Sequence, residues 1–191
     1  MGKSITEEIN IALHILQSGG VILYPTDTIW GLGCDALNPK AIDRVYAIKQ
    51  RKAEKSLIIL LDDFNKIQQY VNCVPPVYPD ILNNPERPVT VIYNGAKNLP
   101  ENLMAHDKTI AIRVVKDDFC SMLIQKLGGP LISTSANVSG EPAPIGFNHI
   151  ADTIKNQVDY SVKLYRDRIG CSKPSTIIHL HEDGTYTVIR E

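Results

Sequence analysis

What most restricts the fold of this chain is the arrival of its apolar residues in short runs, at 21–24, 57–61, 89–93, 109–115 and 131–134. Between several of these runs, apolar residues recur instead at every third or fourth position. Short apolar runs form buried strands, and the 3.6-residue recurrence forms helices with one apolar face. Ser4 followed by Glu7 reads as a capping box, after which Ile5, Ile9, Ala12, Leu13 and Leu16 trace a helix that Gly19-Gly20 stops. Asn38 before Pro39 opens a second helix, with Ala41, Ile42, Val45, Tyr46 and Ile48 on its buried side. Asp62-Asp63 caps a further helix, and the prolines at 75, 76, 79 and 85 divide the stretch that follows. A helix over 117–127 ends at Gly128-Gly129, a short helix covers 147–155, and a strand covers 158–165. Runs at 175–180 and 185–190 flank Glu182-Asp183-Gly184 as a hairpin.

Strands interleaved with helices and closed by a hairpin predict an α/β fold, a mixed sheet with helices packed on it. No repeat, low-complexity tract or linker interrupts the chain, so residues 1–191 are expected to form a single domain. Cys34, Cys73, Cys120 and Cys171 form no C-x-x-C pair, which argues against a zinc ribbon or disulfide scaffold and suits a reducing, cytoplasmic setting. No apolar run approaches the roughly 20 residues of a membrane span, and no membrane role is expected. The formal net charge of −1 gives no bulk attraction for nucleic acid, so any anion binding must come from local clusters.

Several familiar chemistries are missing. The chain has no G-x-x-x-x-G-K-[ST] phosphate loop and no G-x-S-x-G elbow, and Gly31-x-Gly33 lacks the third glycine of a dinucleotide fingerprint. His179 and His181 would share one face of a strand, but no third metal ligand is evident, so a structural role is expected. What remains is a set of hydroxyl-rich segments beside the strands: Pro25-Thr26-Asp27-Thr28, Ser133-Thr134-Ser135-Ala136-Asn137, and Ser175-Thr176 after Lys173-Pro174. One such segment is an ordinary turn. Three in one domain point to a ligand crevice beyond the strand ends. Lys49, Arg51, Lys52 and Lys55 crowd the end of a helix and the loop after it, where cations also simply complement the helix dipole. On the strand 109–115, alternation sets Thr109, Ala111 and Arg113 on the face opposite Ile110, Ile112 and Val114. A buried arginine needs an anion, either a ligand or an internal carboxylate. The residues alone thus give a pocket of hydroxyls and cations for a small anionic ligand.

In this order the segments resemble the YrdC family of threonylcarbamoyl-AMP synthases. Pro25-Thr26-Asp27-Thr28-Ile29-Trp30-Gly31-Leu32-Gly33-Cys34-Asp35-Ala36 is similar to the family's P-T-[DE]-T-x-[YF]-G-L-x-x-[DN]-A signature, and Lys49-Gln50-Arg51 to its K-x-R motif. Thr109-Ile110-Ala111-Ile112-Arg113 matches T-x-x-x-R, Ser135-Ala136-Asn137-Val138-Ser139-Gly140 matches S-A-N-x-S-G, and Ser175-Thr176 matches the S-T pair. Lys52 stands where the family carries a proline after K-x-R, and Pro174 where a glutamate usually precedes the S-T pair. The resemblance implies a twisted mixed sheet flanked by helices with a large concave cleft. It implies a nucleotidyltransferase that makes threonylcarbamoyl-AMP and pyrophosphate from L-threonine, bicarbonate and ATP, with Mg²⁺ held mainly by the ATP phosphates. Partner proteins would pass the threonylcarbamoyl group to the tRNA adenosine beside the anticodon, and tRNA itself is a candidate partner. By position, Thr28, Leu60 (through its backbone), Arg113, Ser133 and Ser175 would hold threonine. Lys49 and Arg51 would act catalytically on the phosphates, and Arg51, Lys55, Thr109, Ser135, Asn137, Ala143 and Arg190 would hold ATP. Two rivals are a non-catalytic RNA-binding module using the basic cleft, and a carbamoyl-transfer domain like that of hydrogenase maturation proteins. The first predicts strongly salt-dependent RNA affinity. The second should carry zinc-finger and acylphosphatase-like segments, and none is visible.

Overall fold

The computed structural model describes residues 4–50, 57–75, 88–167 and 174–191. Helix α1 (Ile5–Gln17) starts where the capping box was expected: Glu7 N–H donates to Ser4 Oγ at 3.2 Å and Ser4 N–H to Glu7 Oε2 at 2.8 Å. Helix α2 (Pro39–Lys49) begins at Asn38, whose Oδ1 accepts the Ala41 N–H. Helix α3 (Asp118–Leu127) is capped by Asp117 and ends on Gly128 at φ 74°.

These helices clothe one sheet with strand order β7-β1-β2-β6-β3-β5-β4-β8-β9. Its strands are β1 (Ile22–Tyr24), β2 (Gly31–Gly33), β3 (Ile58–Leu61), β4 (Val89–Tyr93), β5 (Ile110–Val114), β6 (Leu131–Ser135), β7 (Tyr160–Ser161), β8 (Thr176–Leu180) and β9 (Tyr186–Arg190). The pairs β1–β7, β3–β5 and β4–β8 are parallel and the others antiparallel, so the sheet is mixed. Strand alternation divides the apolar residues between two cores. Ile22, Tyr24, Leu60 and Leu131 pack with α1 and α3 on one side, while Leu23, Leu32, Ile59, Ile112 and Ile132 pack with α2 on the other.

Strand β2 was not anticipated, because glycine weakens strands and Gly-x-Gly reads as a turn. Here both glycines make room. A Cβ on Gly33 would sit 2.0 Å from the Ile132 carbonyl oxygen, and one on Gly31 would sit 3.1 Å from the Tyr24 ring. The ring crosses this open strip, and its hydroxyl donates to Ile132 O at 2.9 Å. Three further expectations are revised. The strand expected over 158–165 is confined to Tyr160–Ser161, because Glu8 beneath it takes the Lys163 N–H at 2.7 Å. The helix expected over 147–155 is split into a 3₁₀ turn, Phe147–His149, and the short helix α4, Asp152–Lys155, with extended Ile150 buried between them. Asp63 caps a 3₁₀ helix, Phe64–Gln69, not an α-helix. The prolines at 76, 79 and 85 lie outside the described residues. No helix among the described residues is long and apolar enough to cross a membrane.

Candidate active site

The turn after β1 is folded by its own hydroxyls. Thr26 Oγ1 donates to Ile29 O at 2.7 Å and accepts the Thr28 N–H at 3.1 Å. The 3.0 Å contact between the Thr26 and Thr28 hydroxyls then has Thr28 as donor, which leaves Thr28 Oγ1 to accept from Arg113 Nη1 at 3.2 Å. A directed chain therefore runs from Arg113 through Thr28 and Thr26 to the backbone. Arg113 projects from β5 on the face that alternation assigned to it and is only 4% exposed. Its Nη2 stands 3.2 Å from Asp27 Oδ1, and its Nε–H has no hydrogen-bond partner among the described residues. Arg113 thus has an internal carboxylate beside it and also lies at the wall of a cleft.

That cleft has a volume of about 290 Å³. Thr28, Arg113, Ser133, Ser135, Asn137, Ala143, Ser175 and Arg190 all line it, although they come from four separate parts of the chain. Ser175 is buried, with its hydroxyl 2.8 Å from that of Thr90, and its carbonyl accepts from Arg190 Nη2 at 2.8 Å and Nε at 3.2 Å. Burial and the nearby Arg113 charge both lower the pKa of Arg190 from its ordinary value. Two guanidinium groups held in one hollow make it attractive to anions. Set among these polar groups is an apolar part of the wall that includes Ile29, Trp30, Leu57, Ile92 and Ile177. Sequence reasoning missed it; the aromatic position of the first signature, filled here by Trp30, was its one visible trace. Trp30 is backed by Phe147 at 5.0 Å between ring centroids, and the Arg166 guanidinium lies 4.0 Å over the Phe147 ring. Glu141 also lines the cleft and was not anticipated.

Three expected residues lie elsewhere. Leu60 is not a lining residue: its side chain is in the core, and its backbone pairs in register with Arg113 and Leu131. Thr109 precedes β5 and donates its hydroxyl to Asp107 Oδ1 at 2.7 Å, a bond that holds the Asp107 carboxyl below its ordinary pKa. Lys49 is 2% exposed and also absent from the cleft wall; its Nζ donates to Ser135 O at 2.6 Å and Asn137 O at 2.7 Å. Arg51 and Lys55 lie outside the described residues. The thiols of Cys34 and Cys120 are buried, and burial pushes both pKa values up, so neither is a ready nucleophile. His179 Nε2 meets Asn94 Oδ1 at 3.1 Å and His181 Nε2 meets Thr187 Oγ1 at 2.9 Å, in keeping with a structural role.

A mixed sheet whose strands and adjoining turns present two arginines and a set of hydroxyls to a partly apolar cleft defines a binding site for an anionic small molecule with an apolar or aromatic part. The chain belongs to the Sua5/YciO/YrdC family, whose model, described as "Telomere recombination", matches residues 14–191. It is 37% identical over 172 residues to the threonylcarbamoyl-AMP synthase of Pseudoalteromonas translucida (strain TAC 125), covering 88% of this chain and 91% of that one. Its structure is similar to that of P. abyssi Sua5 complexed with L-threonine, with a TM-score of 0.87 and 26% identity over 100% of this chain. The chain spans 55% of that Sua5 chain, about half its length. It is also similar to E. coli YciO, with a TM-score of 0.84 and 30% identity, covering 100% of this chain and 91% of that one.

Proposed function

We propose that this chain is a threonylcarbamoyl-AMP synthase, forming threonylcarbamoyl-AMP and pyrophosphate from L-threonine, bicarbonate and ATP. The observation that carries the reading is Arg113: a guanidinium 4% exposed on the cleft wall, with Thr28 beside it and an Nε–H that lacks an acceptor among the described residues. A planar fork in that setting suits a carboxylate. Ser133 and Ser175 lie in the same cleft and offer hydroxyls to the rest of the amino acid. Ser135, Asn137, Ala143 and Arg190 would meet the nucleotide, with the apolar wall around Trp30 excluding water from the reacting groups.

The reaction needs no enzyme nucleophile. The threonine amine adds to CO₂ with loss of a proton, or displaces water from bicarbonate, and an oxygen of the resulting carbamate then attacks the α-phosphorus of ATP with loss of pyrophosphate. The protein contributes alignment of the reactants and positive charge near the phosphates. Ser135 and Glu141, which line the cleft, carry oxygens, the ligand type Mg²⁺ accepts. A Mg²⁺ ion arriving with ATP would be held mainly by phosphate oxygens, and it would neutralise charge on the leaving pyrophosphate. We assign this activity to residues 1–191 acting as a single domain in the cytoplasm. Transfer proteins downstream would carry the group to the tRNA adenosine beside the anticodon. Incubation with ATP, bicarbonate and labelled threonine tests the reading: a labelled mixed anhydride with equimolar pyrophosphate is expected. Pyrophosphate release indifferent to threonine would overturn it.

A further inference from the structure

The ammonium of Lys49, at the end of α2, is bonded into a neighbouring loop. Nζ donates to the carbonyls of Ser135 and Asn137 at 2.6 and 2.7 Å, and Ser135 Oγ lies 3.5 Å away. The Lys49 carbonyl in turn accepts the Ser139 N–H at 2.9 Å. Helix end and loop are thus tied through both the side chain and the backbone of one residue. On the far side of the loop, the Ala136 N–H is fixed to Trp30 O at 3.1 Å. Ser135 and Asn137 are among the residues that line the cleft, whereas Lys49 is not; Asn137 Nδ2 donates to Val138 O at 3.0 Å and Glu141 O at 2.7 Å.

We propose that Lys49 is a positioning residue that sets the 135–139 loop so that Ser135 and Asn137 meet the nucleotide, without itself touching a phosphate. Drawing two carbonyls of a tight turn onto one cation fixes both peptide planes, and these planes fix the directions of the side chains between them. Charge-assisted bonds in a site shielded from water are strong. For the ammonium to reach a phosphate, it would have to leave both carbonyls, at the cost of unpaired polar groups in a shielded place. The placement at the last turn of α2 adds the favourable interaction of a cation with the helix C-terminus. The inference rests on the reading of the cleft as a nucleotide site.

The test is a double-mutant cycle on ATP affinity, measured by calorimetry, with Lys49→Met and the pair Ser135→Ala/Asn137→Ala. Lys49→Met alone should weaken ATP binding by about tenfold or more, yet change it by less than about twofold on the Ser135→Ala/Asn137→Ala background. L-threonine affinity should stay within about twofold throughout, since the Thr28–Arg113 set is not held by Lys49. A full tenfold loss on both backgrounds means direct contact with the nucleotide and overturns the proposal. So does a loss of threonine affinity in step with ATP, the mark of a general structural role. If Lys49→Met does not fold, Lys49→Gln, which keeps amide donors for the carbonyls, should bind ATP within about threefold of wild type, and a tenfold loss there overturns the proposal. A wild-type protein that binds no ATP would remove the nucleotide reading and this inference with it; an additive cycle in a protein that does bind ATP removes only the role given to Lys49.

Discussion

Replacing Arg113 by alanine should separate folding from binding. In the protein without ligand, the change strands the Asp27 carboxylate, whose side chain is 14% exposed and 3.2 Å from the guanidinium. Removing one partner of a buried ion pair costs about 3–5 kcal/mol, and the partial exposure of Asp27 places this case near the lower end. With threonine bound, the same change removes the fork for its carboxylate. Truncating one member of a buried charge pair costs about 2–5 kcal/mol, or about 30- to 5,000-fold in affinity. A second substitution separates the two effects. Asp27→Asn added to Arg113→Ala removes the stranded charge and should recover most of the lost melting temperature, while threonine affinity stays lost. Arg113→Lys keeps a charge without the fork, so it should recover part of the stability and still bind threonine about tenfold or more weakly. Calorimetric titration with L-threonine, run beside thermal denaturation, reads both effects. Trp30, the single tryptophan of the chain and part of the cleft wall, gives an independent fluorescence signal. An Arg113→Ala protein whose threonine affinity stays within about threefold of wild type would refute the reasoning.

Gly33→Ala should cost about 3 kcal/mol or more by denaturant titration, because its Cβ would lie 2.0 Å from the Ile132 carbonyl oxygen and 2.9 Å from the Tyr24 ring. Gly128→Ala, at φ 74° with open space around it, should cost only about 1 kcal/mol; equal losses would contradict the role given to the Gly33 contact. Asp117 caps α3 through Oδ1, but its Oδ2 is buried with no hydrogen-bond partner among the described residues, and burial, with the Asp27 charge adding to it, raises its pKa above the ordinary carboxylate value. A folded-state pKa above the unfolded one means that this group's contribution to stability falls as pH rises from the unfolded value through the folded one, and stays low above both. Asparagine caps a helix equally well, so Asp117→Asn should raise the melting temperature near pH 7 and give no gain below about pH 3, where the acid is neutral in both states. A lower melting temperature at pH 7 would count against this account. Glu8→Ala removes the acceptor of the Tyr160 hydroxyl and the Lys163 N–H and should cost about 2–3 kcal/mol, with hydrogen exchange at β7 rising first. Uniform exchange across the sheet would show that Glu8 does not hold that edge.

The sequence made visible those features that local chemistry decides. Ser4 with Glu7, Asn38 before Pro39, and Asp117 with Gly128 each mark a helix end by a hydrogen bond or a backbone angle that few other residues supply. Alternation along 110–114 set Arg113 apart from Ile110 and Ile112, and the fold keeps them on opposite faces of β5. Features that depend on distant neighbours stayed hidden. Gly31–Gly33 is a strand only because Tyr24, seven residues upstream of Gly31, lays its ring across it. The edge strand β7 stops after two residues because of Glu8, which lies 155 positions before Lys163. Lys49 reads as one of a group of surface cations until the 135–139 loop closes over it. Of the candidate site, the hydroxyls and arginines could be picked out by residue type, whereas the apolar wall could not, since its isoleucines look like any other strand residues.

The central claim is that one hollow grips an amino acid by its carboxylate next to a triphosphate. A crystal structure of the protein soaked with L-threonine and a non-hydrolysable ATP analogue tests it most directly. The threonine carboxylate should lie within hydrogen-bond distance of the Arg113 guanidinium, with the amine turned toward an α-phosphate resting beside the Ser135–Asn137 segment. Density for the two molecules on separate surfaces, or a triphosphate seated on Arg113 itself, would contradict it.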